Sequence, residues 1–358
     1  MIIFFMLLSG AAIVGFRKAD PTERDYMSVN MTNSIKGVFL CMVFLSHIWG
    51  YTDFSHPYLD GSYQRFIRGR LGQCIVTMFL FYSGYGVMES VKRKGEMYIR
   101  AFPAQRILKV LLQFEGAIAL FWLYRYVTGT HYGLKKMLLT LVGWDGIGNS
   151  NWYIFCILWL YLFTFISFKI FPKNHKKAVI GIGMLSLLYM VVMHKFGKEY
   201  WWYDTALCYT YGMLFSLYRK KAEAIVNENT ASWAFFTVVF FAFHTDLYAD
   251  RNIGVFVYQL WVFCFAAAIV IFTMRWVVDN PFLRWVGEHL FELYILQRLP
   301  MMILKPYMLT EEADIMVRYC YVVICFLSTV IISVLYRKTI VRLAGMILTE
   351  LERKEPSS

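Results

Sequence analysis

Charge is scarce in this chain, and so are the motifs that carry most soluble chemistry. Asp, Glu, Lys and Arg make up 17% of its 358 residues, where a soluble protein carries about 25%. That deficit leaves no room for a sizeable soluble domain. None of the seven cysteines (Cys41, Cys74, Cys156, Cys208, Cys264, Cys320 and Cys325) forms a CxxC pair, and all fall in apolar segments. The odd count and the setting argue for buried free thiols rather than disulfides or a zinc site. No HExxH, P-loop or GxGxxG occurs, so neither a metal nor a bound nucleotide is expected. There is also no repeat of fixed period and no low-complexity stretch.

What is abundant is apolar. The chain is 59% hydrophobic and 19% aromatic, with a mean hydropathy of +0.49. It therefore reads as an all-α polytopic membrane protein with room for about ten spans of roughly 20 residues. Residues 1–16 are an apolar run with Arg17 and Lys18 directly behind it. A secretory signal carries its cations in front, so this run is expected to be an uncleaved extra span with its N-terminus outside, though short for one. A polar connector follows. Further spans are expected near 35–52, 71–91, 107–127, 152–171, 178–194, 203–218, 232–248, 253–274, 289–305 and 319–336.

The loops orient this arrangement. With the N-terminus outside, the inward segments hold 24 of the 36 Lys and Arg residues. That two-to-one excess follows the positive-inside rule and accounts for the net charge of +12 without invoking nucleic acid. The C-terminal tail is then cytoplasmic. From Thr339 it places Ile340, Leu343, Ile347 and Leu351 on one helical face, with Arg342, Glu350 and Arg353 elsewhere, as a helix lying on the membrane surface would.

The most informative stretch is the second span, Ser34 to His47. Eleven steps of about 100° bring Lys36 and His47 onto one face, separated by a rise of about 16 Å. An ionisable residue inside a span usually faces a protein interior or a wet cavity. A neutral imidazole there can take a proton near neutral pH. Lys36 suits a phosphate or simply snorkels to the interface. The 92–109 loop is a basic run (Lys92, Arg93, Lys94, Arg100, Arg106, Lys109) that suits a polyphosphate, although topology alone also produces such runs. Glu115, in mid-span, needs a partner or a cavity. Trp152 and Tyr153 stand at an expected outer boundary, where aromatic residues belong and where a ring can also stack on a sugar. Glu292, Gln297 and Arg298 cluster on a late span, with Glu292 and Arg298 on different faces. The remaining histidines, His244 among them, read as loop or interface residues.

Taken in order, five segments resemble the membrane-bound acyltransferase family 3, the integral membrane acyltransferases of bacterial envelope glycans. They are Lys36-x10-His47, the MFLFYSGY run from Met78 to Tyr85, Gln105-Arg106-Ile107, Ser150-Asn151-Trp152-Tyr153-Ile154, and VGEHLFELYILQ from Val286 to Gln297. The resemblance covers residues 33–336, leaving 1–32 as an extra span with its connector and 337–358 as the tail. It implies transfer of an acyl group, most simply acetyl, from cytoplasmic acyl-CoA to a hydroxyl of a glycan or lipid-linked sugar at a bacterial cytoplasmic membrane. His47 would be the base, and Lys36 with Arg106 would hold the donor. Trp152, Tyr153, Glu115, Glu292 and Gln297 would line the substrate path. Lys36 stands where the family usually has Arg, which keeps charge but loses bidentate binding. Gln297 stands where it often has a second His, so His47 would move the proton alone. A different class, a proton-coupled transporter or flippase using His47, Glu115 and Glu292, fits the same buried groups. Against it, no internal repeat or pair of Gly/Pro-broken spans is found.

Overall fold

The structure, a computed structural model, describes residues 1–19, 25–52, 54, 64–311 and 313–354. His56 lies outside the described residues, as do the side chains of Leu351 and Arg353. The helices are α1 (Ile2–Ile13), α2 (Val29–Ile48), α3 (Cys74–Lys94), α4 (Glu96–Phe102), α5 (Lys109–Val127), α6 (Leu134–Leu141), α7 (Trp152–Ile170) and α8 (His175–Lys195). They continue with α9 (Leu207–Val226), α10 (Thr230–Asp250), α11 (Val255–Thr273), α12 (Pro281–Glu288), α13 (Leu290–Leu296), α14 (Arg298–Met308), α15 (Ile315–Tyr336) and α16 (Arg342–Lys354). Wider π-type turns at Gln64–Leu71, Pro103–Leu108 and Arg337–Val341 join neighbouring helices.

Among the described residues, seven helical segments are long and apolar enough to cross a membrane: Val29–Ile48, Cys74–Lys94, Glu96–Val127, Trp152–Ile170, His175–Lys195, Val255–Thr273 and Ile315–Glu350. The protein is therefore an all-α membrane protein in character. The first apolar run forms a helix of 12 residues, about 18 Å long and too short to cross a bilayer core of about 30 Å unaided. The stretch expected as one span at 289–305 is instead two short helices, α13 and α14. Pro300 is the reason. It has no N–H to give the Leu296 carbonyl, so the helix kinks one turn earlier, at Gln297.

The chain divides into two compact units, residues 1–43, 56–98 and 166–288 in one and 44–55, 99–165 and 289–358 in the other. In the first unit, helices meet through glycines placed reciprocally. A Cβ on Gly84 of α3 would stand 1.9 Å from the Tyr209 carbonyl oxygen, and one on Gly212 of α9 would stand 2.0 Å from that of Phe81. The same device joins α2 to α12, where Gly37 lies against the Leu283 carbonyl and Gly287 against that of Asn33. Only residues without a side chain let two backbones approach so closely. The short strands β1 (Phe16–Lys18) and β2 (Trp276–Val278) pair antiparallel. Phe16 stacks on Trp276 at 4.8 Å, and the Asn280 amide donates to the Ala11 carbonyl. The segment that begins with α1 is thereby tied into this unit.

In the second unit, α13 and α14 pack on α15, and α16 packs on α5. Tyr336 donates to the Gln113 carbonyl, and Tyr321 donates to that of Met301 at 2.6 Å. The face that α16 buries carries Ala344 and Leu348, while Leu343, Met346 and Ile347 stay exposed. The apolar stripe expected on the tail is thus divided, one edge against protein and the other free.

Candidate active site

His47 ends the apolar helix α2, half-buried in its last turn and within the second unit. Its ring stands 6.3 Å from that of Tyr294 on α13, inclined at 51°. Tyr294 in turn meets Tyr153 edge-on at 5.4 Å, and Tyr153 meets Trp152 at 5.8 Å. A row of aromatic rings therefore leads from the start of α7 to the imidazole. Tyr294 and Tyr153 are buried, and Trp152 is half-buried.

The kink at Gln297 shapes the ground beside this row. The Gln297 side-chain amide turns back to donate to the Tyr294 carbonyl at 3.1 Å. Its own Oε1 is buried and accepts no hydrogen bond. The Tyr294 hydroxyl, the Arg298 Nε, the Ser150 Oγ and the Asn149 Nδ2 are likewise buried with no hydrogen-bond partner. Ser150 lies close enough to Tyr294 to act on its hydroxyl, and so does Arg298. Each buried polar atom left unpaired costs about 1–3 kcal/mol, and such groups are uncommon in native proteins. Their gathering on one turn and one kinked helix, around the tyrosine that meets His47, provides donors and acceptors ready for an incoming molecule.

The turn before α7 is built to present Ser150. Gly148 adopts φ +110°, and a side chain there would collide with the Met302 sulfur at 2.5 Å. Asn149 accepts the Ile147 N–H through Oδ1 at 2.9 Å. Arg125 Nε donates to the Ile147 carbonyl at 2.9 Å. α5, α7 and α14 are thus locked to one another at this end of the unit.

The other residues singled out in the sequence make contacts of their own. Lys36 belongs to the first unit, where the Glu288 carboxylate is its charged neighbour. The Gly37 and Gly287 contacts bring the two helices together there. Arg106 is half-buried in the turn before α5. Lys92 of the basic run is held by Glu89 at 2.6 Å and by Ser216. Glu292, two residues before Tyr294, turns away to Arg337 at 3.9 Å. Glu115 is half-buried on α5 and makes no ion pair among the described residues. His244 is not a loop or interface residue. It is buried on α10, stacked on Trp261 at 5.0 Å, because the close pairing of α10 with α11 covers it. Six of the cysteines are buried free thiols and Cys320 is exposed, its position on α15 turning it outward.

A first cavity-like recess, of about 310 Å³, lies in the first unit and is lined by Asp25, Tyr26, Asn30, Met31, Val277 and Asp279. Its two carboxylates are each held by an arginine, Asp25 by Arg219 and Asp279 by Arg284. Burial and the nearby Glu223 carboxylate push the Tyr26 phenol well above its ordinary range.

Tyr294, Ser150 and Arg298 were not nominated as site residues from sequence, although all three lie in or beside the quoted motifs. The available signal was Pro300, whose position predicts the break in the helix at Gln297.

An all-α membrane protein with a half-buried histidine beside a tyrosine and unpaired polar groups is the class these features define. A family model described as an acyltransferase domain matches residues 32–338, and the chain belongs to that family, acyltransferase family 3. No curated protein and no solved structure matches the chain.

Proposed function

We propose that this acyltransferase moves an acyl group, most simply acetyl, from cytoplasmic acyl-CoA to a hydroxyl of a cell-envelope glycan or lipid-linked sugar. His47 is the general base. The observation that carries this reading is the placement of His47 against Tyr294, beside five buried polar atoms with unused hydrogen-bonding capacity.

The chemistry balances without a metal or a redox partner. The acceptor O–H gives its proton to the His47 imidazole as its oxygen attacks the thioester carbonyl carbon. The tetrahedral intermediate carries negative charge on the former carbonyl oxygen. Hydroxyl donors such as Tyr294 and Ser150 suit that charge. Collapse breaks the carbon–sulfur bond, and the thiolate of CoA leaves and takes up the proton. Gln297 has no titratable group, so it would hold and orient while the histidine alone carries the proton.

In this reading Lys36 and Arg106 serve the donor side, Trp152 and Tyr153 the acceptor side, and Glu115 and Glu292 support the helices that frame the path. The membrane is the bacterial cytoplasmic one, with Lys36 towards the cytoplasm and His47 towards the outer half, as the loop charges argue. The test is release of free CoA by the purified protein in detergent with acetyl-CoA and a panel of glycan acceptors. Release that depends on His47 is the expected result. No release with any acceptor, combined with uptake of a solute by proteoliposomes, would replace this reading with that of a transporter.

A further inference from the structure

Three cations converge on Tyr51, in the turn that closes α2 one helical turn beyond His47. Lys305, near the end of α14, stands 5.7 Å from the Tyr51 ring centroid. Arg298, Met302 and Lys305 follow one another at helical spacing on α14. Arg125, at the end of α5, reaches that helix beside Met302, its terminal nitrogen and the Met302 sulfur both lying against Gly148. The Tyr51 hydroxyl is within electrostatic range of both arginines. Backbone bonds from Thr52 and Tyr51 to the Ile48 carbonyl continue the helical path from His47 to this ring. The two sites are therefore separated by about 6 Å along the helix.

This cluster runs against the grain of the chain in two respects. Among the described residues none of the three cations has a carboxylate partner, whereas Arg219, Arg284, Arg337, Lys92 and Lys136 each do. The three also belong to the minority of 12 Lys and Arg outside the inward segments, where topology gives no reason for cations to gather. Like charges brought together without counter-charge repel, and the arrangement is relieved when an anion binds between them. The two arginines keep donors in hand. Arg125 spends only Nε on the Ile147 carbonyl, leaving both terminal nitrogens, and Arg298 Nε is buried with no partner. Guanidinium groups so placed match the paired oxygens of a phosphate.

We propose that Arg125, Arg298 and Lys305 around Tyr51 form a phosphate-binding site that anchors the acyl acceptor, through a lipid headgroup or a soluble phosphate ester, with its hydroxyl directed at His47. The role as an acceptor anchor rests on the acyltransferase reading above. The anion site itself does not.

The experiment titrates inorganic pyrophosphate by calorimetry into the full-length protein held in phosphatidylcholine nanodiscs at low salt. Wild type binds. R125Q, R298Q and K305Q each weaken binding about tenfold or more, as loss of a charge-assisted contact should, and R298K weakens it less than R298Q. Lys305 is exposed, so K305Q tests the charge without disturbing the fold. H47A binds pyrophosphate as wild type does. Exchanging phosphatidylcholine for phosphatidylglycerol separates the sources. Competition with pyrophosphate supports a lipid headgroup as the natural anion, and its absence supports a soluble phosphate.

No pyrophosphate binding, or binding that all three neutralised variants retain, overturns the site. So does a raised KM for acetyl-CoA in the CoA-release assay, since that would assign the cluster to the donor. If pyrophosphate binds through the cluster while no His47-dependent CoA release occurs, the acyltransferase reading fails and the anion site stands. If CoA release depends on His47 while pyrophosphate is ignored, the anion site alone fails.

Discussion

The imidazole of His47 and the phenol of Tyr294 lie 6.3 Å apart, ring centre to ring centre, although 247 residues of chain separate them. Tyr294 occupies the turn directly before the Gln297 kink, and Ser150 approaches its hydroxyl from the start of another helix. The histidine supplies a proton acceptor, and the tyrosine supplies a buried hydroxyl with Ser150 beside it.

Substitution separates the two roles. His47→Ala should lower CoA release by about 10²–10⁴-fold, the range for loss of a general base, with expression and thermal unfolding unchanged. Tyr294→Phe keeps the ring and removes only the hydroxyl. It should lower kcat by about 10–10³-fold, as loss of one transition-state donor does, and leave the KM for acetyl-CoA as it was. Full activity in Tyr294→Phe would remove the hydroxyl from the mechanism.

Pro300→Ala tests whether the kink matters. An N–H returned to position 300 can bond the Leu296 carbonyl and straighten the helix. The variant should fold and unfold at a temperature equal to or above that of wild type, and transfer should fall at least about tenfold as Tyr294, Gln297 and Arg298 move by about an ångström. Unchanged turnover would mean the kink serves packing only.

The reciprocal glycines give a paired test of stability on one helix. Gly84→Ala drives a methyl into the Tyr209 carbonyl, whereas a Cβ at Gly86 meets nothing within 4 Å. Gly84→Ala should destabilise by about 3 kcal/mol, the upper end of what overpacking typically costs, and depress expression. Gly86→Ala should be neutral or slightly stabilising, because alanine favours the helix by about 1 kcal/mol. Comparable melting temperatures for the two would contradict the close contact of α3 and α9.

A pH dependence should come from Asp204, in the turn ahead of α9. Burial pushes its carboxyl up to about 7, above an unfolded value of about 3.9. The folded state therefore holds a proton that the unfolded state releases. The stabilising contribution is complete below about pH 4 and is lost as pH rises to about 7, with a ceiling of about 4 kcal/mol. Melting in detergent should fall between pH 5 and pH 8 for wild type, and Asp204→Asn should flatten that part of the profile. Parallel profiles for the two proteins would show that Asp204 titrates normally.

Local pattern determined a good deal of this protein. Scarce charge and long apolar runs determined a helical membrane protein, because bilayer thickness dictates how long an apolar helix must be. The 3.6-residue period placed Lys36 and His47 on one face of one helix, since that geometry depends only on neighbours in the chain. The ordered motifs determined the family. Tertiary structure decided what surrounds the histidine. It brought Tyr294 to His47 and Ser150 to Tyr294, turned Glu292 away to Arg337, and gave Lys36 the Glu288 carboxylate as a neighbour. It also gathered Arg125, Arg298 and Lys305 around Tyr51. None of these contacts is local. Each depends on how helices distant in the chain pack against one another, which no local pattern of residues dictates.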